Sequence, residues 1–286
     1  MKLGKFPLLP RRRNTDKRSY GHLLVLAGSK TLPGAAALTC RAALCSGAGL
    51  VTFGTPDVLV PFFAKKLIPE VMYLGLPSTK AGSLGPGAAK ILKEFMKRRN
   101  ISVLAVGPGL SSSPETMGVV REVVCDRSVA LVLDADGLNS FRGKADHLRK
   151  NTVPLILTPH AGEFERVFGM AVPKERPDKI RLAKKMALDY HVVLVLKGPR
   201  TLVTDGKHMY ENNTGGPAMA KGGAGDVLTG IIAAFVAQGL PPFLAAVWAV
   251  HVHGRAGDLA AAQKSELGVL ASDLIEFLPR VFLKLR

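Results

Sequence analysis

Six short, uninterrupted apolar runs constrain this chain more than any other feature: HLLVLAG (22–28), LVTFGTP (50–56), ISVLAVGPG (101–109), VALVLDADG (129–137), PLILTPH (154–160) and VVLVLKGP (192–199). Each is too continuous for a strand with one wet face and too short for a helix, so the runs predict buried parallel strands. Helix-length segments lie between several of them, at 35–46, 114–127 and 177–191. That alternation predicts right-handed crossovers and an α/β fold whose mainly parallel sheet is covered by helices on both faces. TLVTDGKHMY (201–210) breaks the rhythm, its Asp205-Gly206 between two extended segments predicting a local hairpin. Beyond it, Val227, Ile231 and Phe235, with Leu228, Ile232 and Val236, keep helical spacing from Asp226 to Gln238, and Gly239 ends the helix. The most apolar region, 228–250, is cut by Gly239 and Pro241-Pro242 and reads as two buried helices.

With 47% hydrophobic and 21% charged residues among 286, the chain can bury a sizeable core. We expect a basic N-terminal extension over 1–16 and a single domain over 17–286. The formal net charge of +17 sets up a field that attracts phosphates, nucleic acid or acidic surfaces. Much of it lies in RRRNTDKR (11–18), and in Lys65-Lys66, Lys97 to Arg99 and Lys184-Lys185, which read as solvated faces. No aromatic-interleaved RNA motif, zinc-finger spacing or basic heptad is present, which counts against a nucleic-acid module. Cys40, Cys45 and Cys125 are odd in number, lack CxxC spacing and sit in apolar contexts that predict core or helix packing in a reduced cytoplasm. The apolar stretch in MKLGKFPLLPRRR is too short for a signal peptide.

Polar or glycine-rich motifs follow the apolar runs directly: AGS (27–29), GPGL (107–110), DADGLN (134–139), TPHAGE (158–163) and KGPRT (197–201). In a parallel sheet all five fall at the carboxyl ends of strands, the edge on which open α/β proteins bind ligands. Singly, each also has a purely structural reading. A glycine after a strand is a turn, Asp134 or Asp136 a helix or turn cap, and His160 a core or loop histidine. A sixth motif, AKGGAGDVLTG (220–230), sets Gly222, Gly223 and Gly225 before the amphipathic helix. There their N–H groups can approach an anion, phosphate above all. A carboxylate, Asp226, beside phosphate oxygens is costly unless it has its own task. Taking a proton from an attacking hydroxyl is one such task, and capping the helix dipole is the structural alternative. Neither a Walker P-loop nor a GxGxxG after the first strand is present.

A late glycine-rich loop, GD and an amphipathic helix resemble the anion-hole signature of ribokinase-like small-molecule kinases, in which the aspartate is the catalytic base. More narrowly, GHLLVLAGSKTLPGAAALTCRAALCSGAGLV (21–51), AVGPGL (105–110), VLDADGLN (132–139), LTPHAGEFERVFG (157–169), VLKGPRTLV (195–203) and NNTGGPAMAKGGAGDVLTG (212–230) resemble the ADP- or ATP-dependent NAD(P)H-hydrate dehydratases. Six ordered motifs, spanning about residue 17 to the C-terminus, make the resemblance specific. It implies a ribokinase-like three-layer α/β/α fold and a repair reaction. In that reaction the S epimer of hydrated NADH or NADPH is phosphorylated on its ring hydroxyl, and phosphate then leaves to regenerate the reduced dinucleotide.

By motif, the resemblance assigns Ala35, Gly109, His160 and Asp226 to the hydrated dinucleotide. Lys197, Gly198, Pro199, Arg200, Thr201 and Gly225 fall to the nucleotide, with Gly222, Gly223, Ala224 and Gly225 as the anion hole. Asp226 is the expected catalytic residue, and Glu163 the expected carboxylate for Mg2+, directly or through water. ADP or ATP is the expected phosphoryl donor, with ADP favoured. A homo-oligomer, a tetramer, acting without nucleic acid or membrane is implied, as is a stand-alone dehydratase with no preceding epimerase domain. Two departures stand out. Where the family commonly has TGN and GG[ST]GD, this chain has Gly215-Gly216 and Gly222-Gly223-Ala224-Gly225, so the hydroxyl at position 224 is lost. A true kinase of the same fold acting on a vitamin-precursor hydroxyl, of the hydroxymethylpyrimidine or hydroxyethylthiazole type, shares the loop and base. A basic nucleic-acid-binding protein is the third reading, and it would show binding with steep salt dependence and no turnover.

Overall fold

The structure is a computed structural model that describes every residue except Met1, Lys2, Leu9, Arg12, Lys66, Leu67, Arg127, Lys150, Asn151 and Arg286. Three positions of the sequence reading, Arg12 and Lys66 in basic stretches and Arg127 at a helix end, therefore lie outside the described residues. Seven strands run parallel: β1 (His22–Leu26), β2 (Leu50–Pro56), β3 (Met72–Leu76), β4 (Val103–Val106), β5 (Ala130–Leu133), β6 (Leu155–Leu157) and β7 (Val193–Leu196). The hairpin β8 (Leu202–Thr204) and β9 (Met209–Glu211) adds two antiparallel strands, giving the order β3-β2-β1-β4-β5-β6-β7-β8-β9. All six apolar runs became strands and the Asp205-Gly206 turn became the hairpin, with the Asp205 carboxylate accepting from the Lys207 and His208 N–H groups. β3 was not read from the sequence. As an edge strand with one neighbour it exposes Met72 and Gly75, and so carries no continuous apolar run.

The helices are α1 (Pro33–Cys45), α2 (Val60–Phe63), α3 (Ala88–Arg99), α4 (Pro114–Asp126), α5 (Ala135–Asn139), α6 (Ala161–Phe168), α7 (Arg176–Tyr190), α8 (Ala224–Ala237), α9 (Pro242–Lys264) and α10 (Ala271–Lys284). Because strand side chains alternate, each parallel strand feeds two cores. Val25, Val103, Val132 and Val195 face α1, α8, α9 and α10, while Leu26, Leu104, Leu133 and Leu196 face α3, α4, α6 and α7. This is the three-layer, ribokinase-like α/β/α arrangement expected. The first helical layer is packed through small residues: a Cβ on Gly230 of α8 would sit 2.3 Å from the Thr39 carbonyl oxygen of α1.

Three expectations need correction. Helix α8 begins at Ala224, not at Asp226, with Gly223 as a left-handed N-cap at φ +92°, so Gly225 lies in its first turn rather than before it. Only Cys40 is buried in the core. Cys45 and Cys125, on α1 and α4, are exposed, and all three thiols are free. The N-terminal segment is also more than a basic tail, since Phe6 is buried against Trp248 (5.0 Å between ring centroids), Phe235 (5.5 Å) and Phe282 (5.8 Å). Burying a phenylalanine is worth about 1.5–3 kcal/mol, enough to tie this segment to the domain. Among the described residues no helix is long and apolar enough to cross a membrane.

Candidate active site

The five motif-bearing strands β1, β4, β5, β6 and β7 are consecutive neighbours in the sheet, so their carboxyl ends form one continuous edge. Backbone packing locks the first three endings together. Gly28 donates to the Pro108 carbonyl at 2.7 Å. A Cβ on Gly107 would fall 1.7 Å from the Asp134 carbonyl oxygen, and one on Gly137 would fall 2.5 Å from that of Val106. No side chain fits at either point, so GPGL and DADG interlock only as glycine-bearing loops. Gly109, at φ +64°, lies against α1, its would-be Cβ 2.9 Å from the Ala35 side chain.

Next along the edge stands a cluster of buried charge. Lys197, at the end of β7, donates to Asp134 Oδ1 at 2.6 Å and lies 3.4 Å from Glu163 Oε2. Thr229 of α8 donates to Asp134 Oδ2 at 2.9 Å. Burial works to lower the Lys197 pKa, but the Asp134 and Glu163 carboxylates overcome it and hold the ammonium above the ordinary lysine range. Asp134 is thus not the side-chain cap of α5 that its position suggested, because it makes no capping bond. The residue after it, Ala135, adopts a left-handed φ of +47°, a strained conformation for a residue with a Cβ.

TPHAGE forms a capping box. His160 Nδ1 accepts from the Gly162 and Glu163 N–H groups at 3.1 and 3.3 Å, and Glu163 Oε2 accepts from the His160 N–H at 2.8 Å. An Nδ1 that accepts leaves the ring proton on Nε2. The His160 side chain is 52% exposed, so the ring has a structural duty and an open face at once. The Lys197 N–H donates to the Pro159 carbonyl at 2.8 Å, pinning this loop beside KGPRT. In KGPRT itself, Gly198 has φ +150° and Arg200 a left-handed φ of +56°, and Thr201 Oγ1 closes the turn on the Gly198 carbonyl at 3.0 Å. The Arg200 guanidinium is paired with Glu211 at 2.8 Å.

The AKGGAGD loop closes the site from the α8 side. The first-turn N–H groups of a helix lack intrahelical acceptors and carry the positive end of its dipole, so the start of α8 offers anion donors with or without a hydroxyl at Ala224. Gly225 lies beside Lys197, a Cβ there meeting Nζ at 3.4 Å. Thr39 Oγ1 sits between the carbonyls of Ala35 (2.9 Å) and Asp226 (3.1 Å), tying the α1 and α8 walls together. Among the described residues no hydrogen bond or ion pair holds the Asp226 carboxyl, so it makes no side-chain capping bond at the start of α8. Burial, then the Asp134 charge, push its pKa up to about 7; Lys197 opposes this and Glu163 adds to it. Behind the loop His253 of α9 is buried with Nε2 unpartnered, and burial pulls its imidazole down to about 4.

All the expected site residues therefore lie on this edge or on the two helix starts that face it. What the sequence reading missed is the wiring: Thr229, Thr39 and His253 looked like helix interior, and Asp134 and Lys197 become partners only across 63 residues of chain. The donor set does not form a metal cage. Glu163 is committed to the His160 N–H and Lys197, Asp134 to Lys197 and Thr229, and no group of three or more His, Cys, Asp or Glu residues able to hold a metal occurs among the described residues.

A buried lysine–carboxylate cluster, a glycine-rich loop at a helix N-terminus and a half-buried, unpartnered aspartate thus lie together on the carboxyl edge of a three-layer, ribokinase-like sheet. The NAD(P)H-hydrate dehydratase family model matches residues 23–280. The chain belongs to that family. The bifunctional NAD(P)H-hydrate repair enzyme Nnr of Moorella thermoacetica is 43% identical over 276 residues, 96% of this chain and 51% of that protein. The chain thus spans about half the length of the curated relatives it matches. A crystal structure of the ADP/ATP-dependent NAD(P)H-hydrate dehydratase from Bacillus subtilis, co-crystallised with ATP/Mg2+, is 30% identical with a TM-score of 0.79, covering 99% of this chain and 95% of that one. A ribokinase-like superfamily protein from Enterococcus faecalis is 25% identical with a TM-score of 0.80, covering 96% and 91%.

Proposed function

We propose that the chain dehydrates the S epimer of hydrated NADH or NADPH at the expense of ADP or ATP. The ring hydroxyl, its proton passing to Asp226, attacks the terminal phosphorus of the nucleotide as the bond from that phosphorus to the bridging oxygen breaks. The C–O bond to phosphate then breaks while the adjacent ring carbon loses a proton and the ring double bond re-forms. The net products are NAD(P)H, the nucleotide shortened by one phosphate, and inorganic phosphate. Phosphorylation converts hydroxide, a poor leaving group, into a good one, which is why a kinase-like site serves a dehydration.

The observation that carries this reading is the Asp226 carboxyl, unpartnered and held at about 7 at the anion-binding start of α8. A base with a pKa near the working pH is half available yet strong enough to take the hydroxyl proton. In this reading Ala35, Gly109 and the open face of His160 receive the dinucleotide. Lys197 to Thr201 and Gly225 receive the adenosine nucleotide, and the N–H groups of Gly222, Gly223, Ala224 and Gly225 hold the phosphoryl group in flight. Mg2+ neutralises phosphate charge when bound. Glu163, already engaged by the His160 N–H and Lys197, would hold the ion directly or through water. The same reading includes a preference for ADP, a tetramer, a cytoplasmic setting without a nucleic-acid partner, and residues 17–286 as the catalytic domain.

The test is to incubate the chain with hydrated NADH, Mg2+ and ADP or ATP, and follow recovery of NADH absorbance. The native protein regenerates NADH, and Asp226→Asn lowers turnover by about a hundredfold or more, the scale of general-base catalysis. A stable phosphorylated product without recovery of absorbance would convert the proposal into a kinase. Full activity of the variant would remove Asp226 from the chemistry.

A further inference from the structure

The opposite edge of the sheet holds a second charged cavity. It has a volume of about 430 Å3 and is lined by Lys17, Arg18, His22, Leu50, Met72, Arg98, Arg99, Asn100 and Ser102. His22, Leu50 and Met72 are the first residues of β1, β2 and β3, and Ser102 immediately precedes β4. The cavity therefore opens at the amino ends of the strands. With strands rising about 3.3 Å per residue, the seven residues of β2 put it about 20 Å from the carboxyl edge.

Four cations line this cavity and no carboxylate does, and among the described residues none of the four is in an ion pair. The acid closest to them in sequence, Asp16, is spent on the Arg18 and Ser19 N–H groups (2.9 and 3.1 Å) and the Ser19 hydroxyl. A helix C-terminus attracts cations, which accounts for Arg98 and Arg99 at the end of α3. It does not account for Lys17 and Arg18, which reach the same cavity from the 3-10 turn Lys17–Tyr20. Like charges gathered without an acid repel one another, and an anion bound among them relieves that repulsion.

The floor is built rather than incidental. His22 is buried with Nε2 2.8 Å from Thr52 Oγ1 of β2. The Ser102 hydroxyl accepts from the His22 N–H at 3.2 Å, and Asn100 holds the α3 C-cap in the left-handed conformation. A volume of a few hundred Å3 accepts a small molecule, and clustered guanidinium groups favour the bidentate geometry of phosphate oxygens. We propose that this amino-edge cavity is a second binding site, one that takes the phosphate or diphosphate group of a small metabolite and is separate from the carboxyl-edge site.

Inorganic pyrophosphate is the probe, titrated calorimetrically into the full chain. Arg18→Ala/Arg98→Ala is compared with Lys184→Ala/Lys185→Ala, which removes the same charge from α7. Of the four substituted cations Arg18, Arg98 and Lys185 are exposed and Lys184 is half-buried, and a thermal melt verifies that each variant folds. The expected result is one pyrophosphate per chain at this edge, weakened about tenfold or more in the Arg18/Arg98 variant and unchanged in the α7 variant. Equal affinity in the native chain and the Arg18/Arg98 variant would overturn the proposal. So would an equal loss in both variants, which would reduce the effect to the general positive field. Silence toward pyrophosphate with salt-dependent binding of duplex DNA would transfer the surface to nucleic acid and overturn it too.

Discussion

The two ends of one sheet handle charge in opposite ways. At the carboxyl end, three carboxylates (Asp134, Glu163 and Asp226) gather around the single buried ammonium of Lys197. At the amino end, four cations line a cavity without a carboxylate. Chain direction explains the signs. In parallel βα units the helices after the strands begin at the carboxyl edge, so the positive ends of α5, α6 and α8 point there and tolerate anionic groups, while α3 ends at the amino edge and draws Arg98 and Arg99. Burial explains the rest. At the carboxyl edge charge has been taken out of water, so each group alters its neighbours' pKa; at the amino edge the charges remain solvated. A net charge of +17 thus says little about where an anion binds or how strongly.

The largest expected effect breaks the buried side of this comparison. Lys197→Met keeps the aliphatic stem but leaves Asp134 and Glu163 facing each other without their cation, and removing one partner of a buried pair costs about 3–5 kcal/mol. Urea unfolding measures the loss. Adding Asp134→Asn to the same variant restores part of it, since one of the two stranded charges is gone. A cost below about 1 kcal/mol would mean that water reaches the cluster and that the contrast between the edges is weaker than the geometry implies.

A smaller effect sharpens the electrostatic side. Asp226 is a base only when ionised, so kcat/KM rises with pH through a midpoint near 7 and levels above it. The Asp134 charge is the largest electrostatic contribution raising that midpoint. Asp134→Asn moves the rise toward lower pH, by about one unit, as expected for loss of a like charge at close range. A profile that stays flat across neutrality, or a midpoint unmoved by Asp134→Asn, would separate Asp226 from the rate-determining proton transfer.

The site was legible in the sequence as a set of places, not as a circuit. Strands buried on both faces write themselves as continuous Val and Leu runs, and the polar residues that follow each run mark the binding edge. The glycines at 107, 109 and 137 were visible as punctuation, although the reason for two of them, a backbone contact that excludes a Cβ, needs the neighbouring strand. Lys197 was read as a nucleotide contact and Asp134 as a cap because short-range patterns cannot show a pairing across the sheet. Likewise β3 hid behind a half-exposed edge, and Cys45 and Cys125 behind apolar neighbours that turned out to face elsewhere on their helices. The amino-edge cavity left no motif at all, because its cations arrive from two distant segments and only the fold joins them.

The smallest effect belongs to the solvated edge. Arg98→Ala removes a cation that lies at the C-terminus of α3 with its guanidinium carbon 5.9 Å from the Phe95 ring centroid. Its attraction to the helix dipole is worth about 0.3–1 kcal/mol at an exposed site, and its contact with Phe95 adds a comparable amount. Against this stands repulsion from Lys17, Arg18 and Arg99, which the substitution relieves. The two sides nearly cancel, so stability shifts by less than about 0.5 kcal/mol in urea unfolding, an order of magnitude below the loss at Lys197. The shift becomes more favourable to the variant as salt is lowered, because weaker screening strengthens repulsion among four cations more than it strengthens one charge–dipole contact. A loss above 1 kcal/mol that grows at low salt would mean that an unrecognised acid already neutralises the cavity, and the difference between the two edges would then lie in burial alone.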